Sequence, residues 1–148
     1  MGADSRYKKV NDGQAAVEAN AGMFKASCAG QDGIWHLAPG TGGHAQRRQH
    51  RLGPAPWVPS NGAAPGLQNL AAGGMEVLPC ALPEPRSLID AGKLRSLAVM
   101  NKTRSALFPD VSRLNEATGS DWATGAWAGI AGPEGQPASI AARLVASV

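Results

Sequence analysis

A regular alternation of short apolar segments with helical segments is the feature of this sequence that most constrains its fold. The apolar segments predict five strands, at 23–27, 57–59, 75–78, 94–100 and 123–131. The segments around them predict helices at 11–20, from 34 onward, at 65–72, at 83–91, at 112–119 and at 138–146. Asn11 and Ser112 are placed to cap two of these helices. Such alternation is typical of βαβ units, so we expect an α/β fold with a mostly parallel sheet and flanking helices.

Length and composition indicate one folded domain. The 148 residues suffice for a single core, and 43% hydrophobic with 17% charged residues is a globular composition. The net charge is +3, and the Lys and Arg residues are scattered along the chain except at Arg47, Arg48 and Arg51. The sequence therefore lacks the clustered basic residues typical of a nucleic-acid binder, and we do not expect nucleic acid as a partner. No apolar run reaches the ~18 residues of a membrane span. Residues 1–13 lack the apolar core of a secretory signal.

Residues 39–54 interrupt the alternation. They contain one large apolar residue, Leu52, and follow neither a helical nor a strand period. The segment predicts a loop, and it is longer than the connections that compact domains usually contain.

The sequence gives little support for catalysis, a metal or a cofactor. Cys28 and Cys80 do not form a C-x-x-C pair, and two half-buried or buried thiols are favoured over a disulfide, which stays open. Cys28 and His36 could suggest a nucleophile and a base, but no catalytic signature surrounds them. Phosphate-loop, dinucleotide, zinc-protease and serine-hydrolase motifs are all missing from the sequence. We therefore expect neither an enzyme nor a bound cofactor.

Three turns between a predicted strand and the next helix share one character. They lie at 27–33, 60–64 and 79–82, and small residues predominate in each. In parallel sheets such turns meet at the carboxyl edge, where ligands bind. The unpaired N–H groups at a helix start can hold an anion without a charged side chain. Ordinary βα turns are the alternative, which composition alone favours.

Longer motifs carry a resemblance to a known family. They are SRYKKVNDGQAAVEANAGMFKASCAGQDGIWHLA (5–38), WVPSNGAAPGLQNLAAGGMEV (57–77), LPEPRSLIDAGKLRSLAVM (82–100), RSALFPDVSRLNEATG (104–119) and GAWAGIAGPEGQP (125–137). In order and spacing they resemble the second lobe of the tripartite tricarboxylate transporter receptors, the TctC or Bug family. The resemblance implies a type II periplasmic-binding-protein lobe spanning 5–131, followed by a segment, 132–148, that in the family returns to the first lobe.

The resemblance also implies a function and a site. Family receptors bind small carboxylates in the periplasm and deliver them to a membrane permease of two subunits, without catalysis. The binding segments would be loop A (27–31), loop B (60–64) and loop C (79–81). Their residues are Ser27, Cys28, Ala29, Gly30, Gln31, Ser60, Asn61, Gly62, Ala63, Ala64, Pro79, Cys80 and Ala81.

The departures from the family suggest a partial receptor. The first lobe and the signal peptide would precede Ser5, so the chain expressed as it stands would be cytoplasmic. Residues 39–54 replace an amphipathic helix, as a pair of compensating frameshifts would. Cys28 stands where many members have Gly, and Glu76 where they have Asp. The alternative hypothesis is a domain that does not bind ligand and self-associates through exposed apolar surface, as a homo-oligomer.

Overall fold

The structure is a computed structural model that describes residues 1–19, 21–30, 33–37, 55–119, 123–125 and 129–147. Its strands are β1 (Ala26–Cys28) and β2 (Trp57–Pro59). Its helices are α1 (Val10–Ala19), α2 (Ile34–Leu37), α3 (Ala63–Ala71), α4 (Arg86–Asp90), α5 (Leu114–Thr118) and α6 (Ala138–Val145), with a 3-10 turn at Ala21–Met23. None of the helices described is long and apolar enough to cross a bilayer.

A small parallel sheet lies at the centre of the chain. β1 pairs with β2 in parallel, with Ala26 opposite Trp57 and Cys28 opposite Pro59. On the other side of β1, Val77 forms a parallel bridge to Ala26. The order across the sheet is therefore β2, β1, then the segment around Val77. This arrangement confirms the predicted α/β class with a parallel sheet.

Helix α3 forms the main core with this sheet. Leu67 and Leu70 are buried on its inner face, where they pack with Cys28, Met75, Leu78 and Leu94. Gly66 lets the helix approach closely, because a Cβ atom there would lie 2.5 Å from the Cδ1 atom of Leu78. The spacing of small and branched residues thus brings α3 against the strand ends that carry the loops.

A second cluster fixes α1 and the first residues of the chain. Val17 of α1 is buried with Met1, Phe24 and Ala55. The ring of Tyr7 packs against that of Phe24 at a centroid distance of 5.5 Å. The α1 helix is therefore held by its apolar stripe to the strand that leads into loop A.

A charged network holds the segment before α5. The carboxylate of Glu116 accepts hydrogen bonds from the backbone N–H of Arg113 at 3.0 Å and from Nε of Arg113 at 2.9 Å. Arg104 reaches the same carboxylate, at 3.0 Å from its Nη2 atom. These donors lower the pKa of Glu116 to about 2, the backbone bond contributing most. The network explains the start of α5 better than the predicted Ser112 cap, which was wrong.

Other predicted boundaries also change. The first helix begins at Val10, so Asn11 lies inside it, and the carboxylate of Asp12 caps the turn instead by accepting N–H groups of Lys8 and Lys9 at 2.6 and 2.8 Å. The helix predicted at 83–91 begins only at Arg86. Pro85 disfavours helical backbone at the residue before it, which delays the start.

Three predicted strands are reduced. The segments 75–78 and 94–100 contribute only single bridges, at Val77, at Leu94 to Gly2, and at Val99 to Arg113. The two ends of 94–100 pair with different neighbours, so no continuous ladder forms. The described parts of 123–131 contain no strand. The interruption predicted at 39–54 lies outside the described residues.

Replacing Leu70 with Ala tests the α3 core. Leu70 is 2% exposed, so Leu70→Ala should lower the free energy of unfolding by about 2–5 kcal/mol through lost burial and a residual cavity. Urea unfolding followed by circular dichroism measures this loss. The matched control is Gln68→Ala on the exposed face of the same helix, and an equal loss in both variants would contradict the assigned packing.

The Glu116 network predicts an acid-sensitive segment. A carboxyl with a lowered pKa stabilises the folded state above its ordinary pKa of 4.5, and this contribution disappears as the pH falls toward about 2. Glu116→Gln should therefore unfold at lower urea than the parent at pH 6, and the two should converge by pH ~2. A difference in urea midpoint that does not depend on pH would show that the ionised carboxylate is not responsible.

Candidate binding site at the carboxyl edge of the sheet

The three loops predicted to bind ligand leave the same edge of the sheet. The N–H of Ser60 donates to the carbonyl of Cys28 at 3.1 Å, which ties the start of loop B to loop A. The N–H of Ser27 donates to the carbonyl of Val77 at 3.2 Å, which places loop C on the other side. Because all three segments run in parallel, loops B, A and C lie side by side in that order.

Loop B presents the start of α3. Gly62 has φ 96° and ψ 176°, a conformation that is almost restricted to glycine. The N–H groups of Ala63 and Ala64 lie in the first turn of α3, and within the described part of the chain they bind no carbonyl outside that helix. The hydroxyl of Ser60, expected to contact ligand, donates instead to the carbonyl of Gly62 at 3.0 Å. Loop B is therefore a preformed turn with backbone donors.

Loop A places small residues at the surface and its polar ones beneath. Ser27 and Cys28 are buried in β1, at 0% and 1% exposure, so they lie under the site. The Ser27 hydroxyl has no hydrogen-bond partner among the described residues. Ala29 is half-buried and Gly30 exposed. Gln31 lies outside the described residues.

Loop C offers fewer donors than its sequence suggests. Pro79 is buried and has no N–H, and Cys80 is half-buried. The N–H of Ala81 already donates to Oε2 of Glu84 at 2.8 Å. The N–H of Glu84 in turn donates to the carbonyl of Ala81 at 3.1 Å. The backbone N–H of Ala81, a residue predicted to lie in the binding loop, is therefore already bonded to Glu84.

The two thiols lie in one apolar cluster and are not joined. Cys28 and Cys80 are both free, and Cys80 packs against the cluster that contains Cys28. Burial raises the pKa of Cys28 and raises that of Cys80 to about 12, and the Glu84 carboxylate adds to both shifts. The thiols are therefore protonated at neutral pH, which does not suit a nucleophile.

His36 is a packing residue beside the site. It is 7% exposed, and its ring lies 4.6 Å from the ring of Trp57. The N–H of His36 closes α2 by donating to the carbonyl of Gly33 at 3.0 Å. The two rings are tilted by 51°, so His36 packs against the first residue of β2. Within the described residues no group of three His, Cys, Asp or Glu side chains could hold a metal ion.

The sequence of the three loops supplies this edge with no Lys or Arg side chain. The segments 26–38, 57–72 and 75–85 contain neither Lys nor Arg. An anion here would be bound by backbone N–H groups and by the positive end of the α3 dipole. Sequence reasoning missed one residue of this edge, Glu84. Glu84 lies three residues after Ala81 and before α4, a spacing at which its carboxylate can reach back to the Ala81 N–H, and this spacing could have revealed it.

Comparisons with known proteins agree with this architecture. The sequence-family model described as tripartite tricarboxylate transporter family receptor matches residues 1–148. A protein encoded in the tcbD–tcbE intergenic region of Pseudomonas sp. (strain P51) is 29% identical over 147 residues, which are 99% of this chain and 42% of that protein.

Two solved structures are similar in fold. The structure of R. palustris Rpa4515 with adipate has a TM-score of 0.87 and 22% identity, over 99% of this chain and 47% of that one. A TctC solute-binding protein from Polaromonas, without ligand, has a TM-score of 0.72 and 29% identity, over 99% of this chain and 48% of that one. The chain thus spans about half the length of these relatives.

The conformation of Gly62 generates a prediction. An Ala at this φ and ψ costs roughly 1–3 kcal/mol, so Gly62→Ala should lower the unfolding free energy or distort loop B. Urea unfolding and the N–H chemical shifts of 60–64 report the two effects. Gly125→Ala is the control, because a Cβ atom there meets nothing within 4 Å and its φ is not positive. Equal behaviour of the two variants would contradict the assigned turn.

Proposed function

The chain belongs to the tripartite tricarboxylate transporter receptor family, and from this membership we propose that it forms one ligand-binding lobe of a solute receptor for a small carboxylate. The observation that carries the proposal is the meeting of loops A, B and C at one edge, where α3 begins. The residues that we propose to contact the ligand are chosen from these three loops.

The proposed contacts to a carboxylate come from the backbone. The N–H groups of Ala63 and Ala64 would donate to the carboxylate oxygens, and the α3 dipole would favour the negative charge. Gly30, which has φ 71° and open space where a Cβ would lie, lets a ligand approach loop A. Asn61 is exposed beside this turn and adds an amide donor. Ser27, Cys28 and Pro79 support the loops from inside.

The ligand class and partners are part of the proposal. Adipate accompanies the similar R. palustris protein, which supports a small carboxylate for this lobe. Handover to a two-subunit permease and a periplasmic location follow from family membership. The proposal includes no reaction. The protonated thiols of Cys28 and Cys80 are consistent with a binding role.

The expected affinity is low because one lobe supplies part of a cleft. In the relatives more than half of the chain has no counterpart here, and two-lobed receptors exclude water by closing around the ligand. We propose that 5–131 forms the second lobe and that 132–148 leads back toward the first. A dissociation constant near the millimolar range, roughly −4 kcal/mol of binding free energy, would fit this organisation.

A titration of the ¹⁵N-labelled chain with succinate tests the proposal. Succinate should shift the N–H signals of Asn61, Ala63, Ala64 and Gly30 and leave those of α5 and α6 unchanged, because the donors lie only at the carboxyl edge. Succinamide, which has the same length and no charge, is the control ligand. Shifts spread evenly over the chain, or none at 20 mM succinate, would remove the proposed function.

A second candidate function is self-association through α6. None of its residues is buried, and Ile140, Leu144 and Val145 are 49%, 40% and 79% exposed. Ile140 and Leu144 lie one turn apart and form an apolar stripe. Sedimentation should show a dimer that Leu144→Glu dissociates while Arg143→Glu, beside it, does not. A monomer across the whole concentration range would exclude this candidate.

A further inference from the structure

Loop C differs from loop B in the sign of its charge. Its Ala81 N–H is held by the carboxylate of Glu84 at 2.8 Å, and the return bond from the Glu84 N–H measures 3.1 Å. This pair fixes a negative group beside loop C. Loop B, by contrast, presents N–H donors and the positive end of α3.

The three loops supply no basic side chain to face that carboxylate, and the positive group that acts on loop C is the buried Met1 ammonium, which lowers the pKa of Cys80. The segments 26–38, 57–72 and 75–85 contain no Lys or Arg, and Glu84 itself is exposed. Its charge reaches across the edge, since it helps to raise the pKa of both Cys28 and Cys80, after burial. Cys28 ends β1 and Cys80 belongs to loop C, so the Glu84 charge acts at the ends of both segments.

The two ends of the candidate site therefore suit different chemical groups. Loops B and C are separated by β1, which is two inter-strand spacings or ~10 Å. A carboxylate fits at loop B. A second carboxylate at loop C would face Glu84 and be repelled, whereas an amide or ammonium group would donate to it.

We propose that Glu84 is a specificity-determining residue that selects ligands with a carboxylate at one end and a hydrogen-bond donor, an amide or ammonium group, at the other, in preference to dicarboxylates. This inference rests on the proposed function, since it concerns the same site. Glu84 acts on the ligand directly through its charge, and its bond to Ala81 sets its position.

The test compares succinate with succinamate, its monoamide, by titration of the ¹⁵N-labelled chain. The two probes have the same length and shape and differ in one terminal group. The parent should bind succinamate roughly three- to tenfold more tightly than succinate. Raising the salt from 20 to 500 mM should reduce this ratio, because the discrimination is electrostatic.

Glu84→Gln is the decisive variant. Its amide oxygen can still accept the Ala81 N–H, so the turn is kept while the charge is removed. The preference for succinamate should fall to about unity. Glu76→Gln is the matched control, because Glu76 also accepts a backbone N–H, that of Lys25 at 2.7 Å, and lies before the strand edge rather than after it. It should retain the parent's preference.

The outcomes separate the two proposals. If both probes bind and Glu84→Gln keeps the parent's ratio, the role of Glu84 is overturned and the proposed function stands. If Glu84→Gln loses both probes and the signals of 79–86 disperse differently, Glu84 is only a turn cap and the specificity role is overturned. If neither probe binds the parent or the variant, the proposed function fails and this inference fails with it.

Discussion

The parallel pairing on both sides of β1 is the constraint on which the rest of the structure depends. β1 is only three residues long, and all three of its residues are buried. They bond to β2 on one side and to the Val77 segment on the other. Because the three segments run the same way, their following turns emerge together. Without that pairing, loops A, B and C would be unrelated turns.

The packing of α3 against the sheet fixes the position of its first turn beside the three loops. Leu67 and Leu70 anchor the helix on the sheet, and Gly66 permits the close contact with Leu78. The first turn of α3 is then directed toward the carboxyl edge. Its N–H groups have no helical partners. An apolar interaction below the site therefore orients the polar groups above it.

The three loops at this edge contain no Lys or Arg, which limits the ways in which they could bind an anion. Backbone donors and a helix dipole act over a short range, so they favour a small anion held close to the loop. The carboxylate of Glu84 adds the opposite sign a short distance away. In the proposed function, the two signs together would orient a ligand and not only attract its charge. Cys28 and the half-buried Cys80 belong to the apolar cluster beside that surface, and the His36 ring packs at a tilt against that of Trp57.

Elements whose ends are set by nearby Pro and Gly residues were predicted well from the sequence. The strand at 57–59 and the helix before Ala72 follow from Pro and Gly positions that act on their own residues, and both are found within two residues of the prediction. The strands at 75–78 and 94–100 were overestimated, because pairing depends on partners far away in the chain. The cap predicted at Ser112 was wrong for the same reason: the Arg104–Glu116 ion pair beside the start of α5 joins residues that come together only in the fold.

The sequence by itself determined the α/β class, the family, and which three turns would meet. The alternation of strands and helices and the order of the motifs can be recognised without knowing any contact. Only the tertiary structure decided which atoms of those turns are accessible. In the fold Ser27 and Cys28 are buried, and the Ser60 hydroxyl donates to the carbonyl of Gly62. The Ala81 N–H donates to the carboxylate of Glu84. Burial and hydrogen-bond competition are properties of neighbours in space, and residue type alone does not contain them.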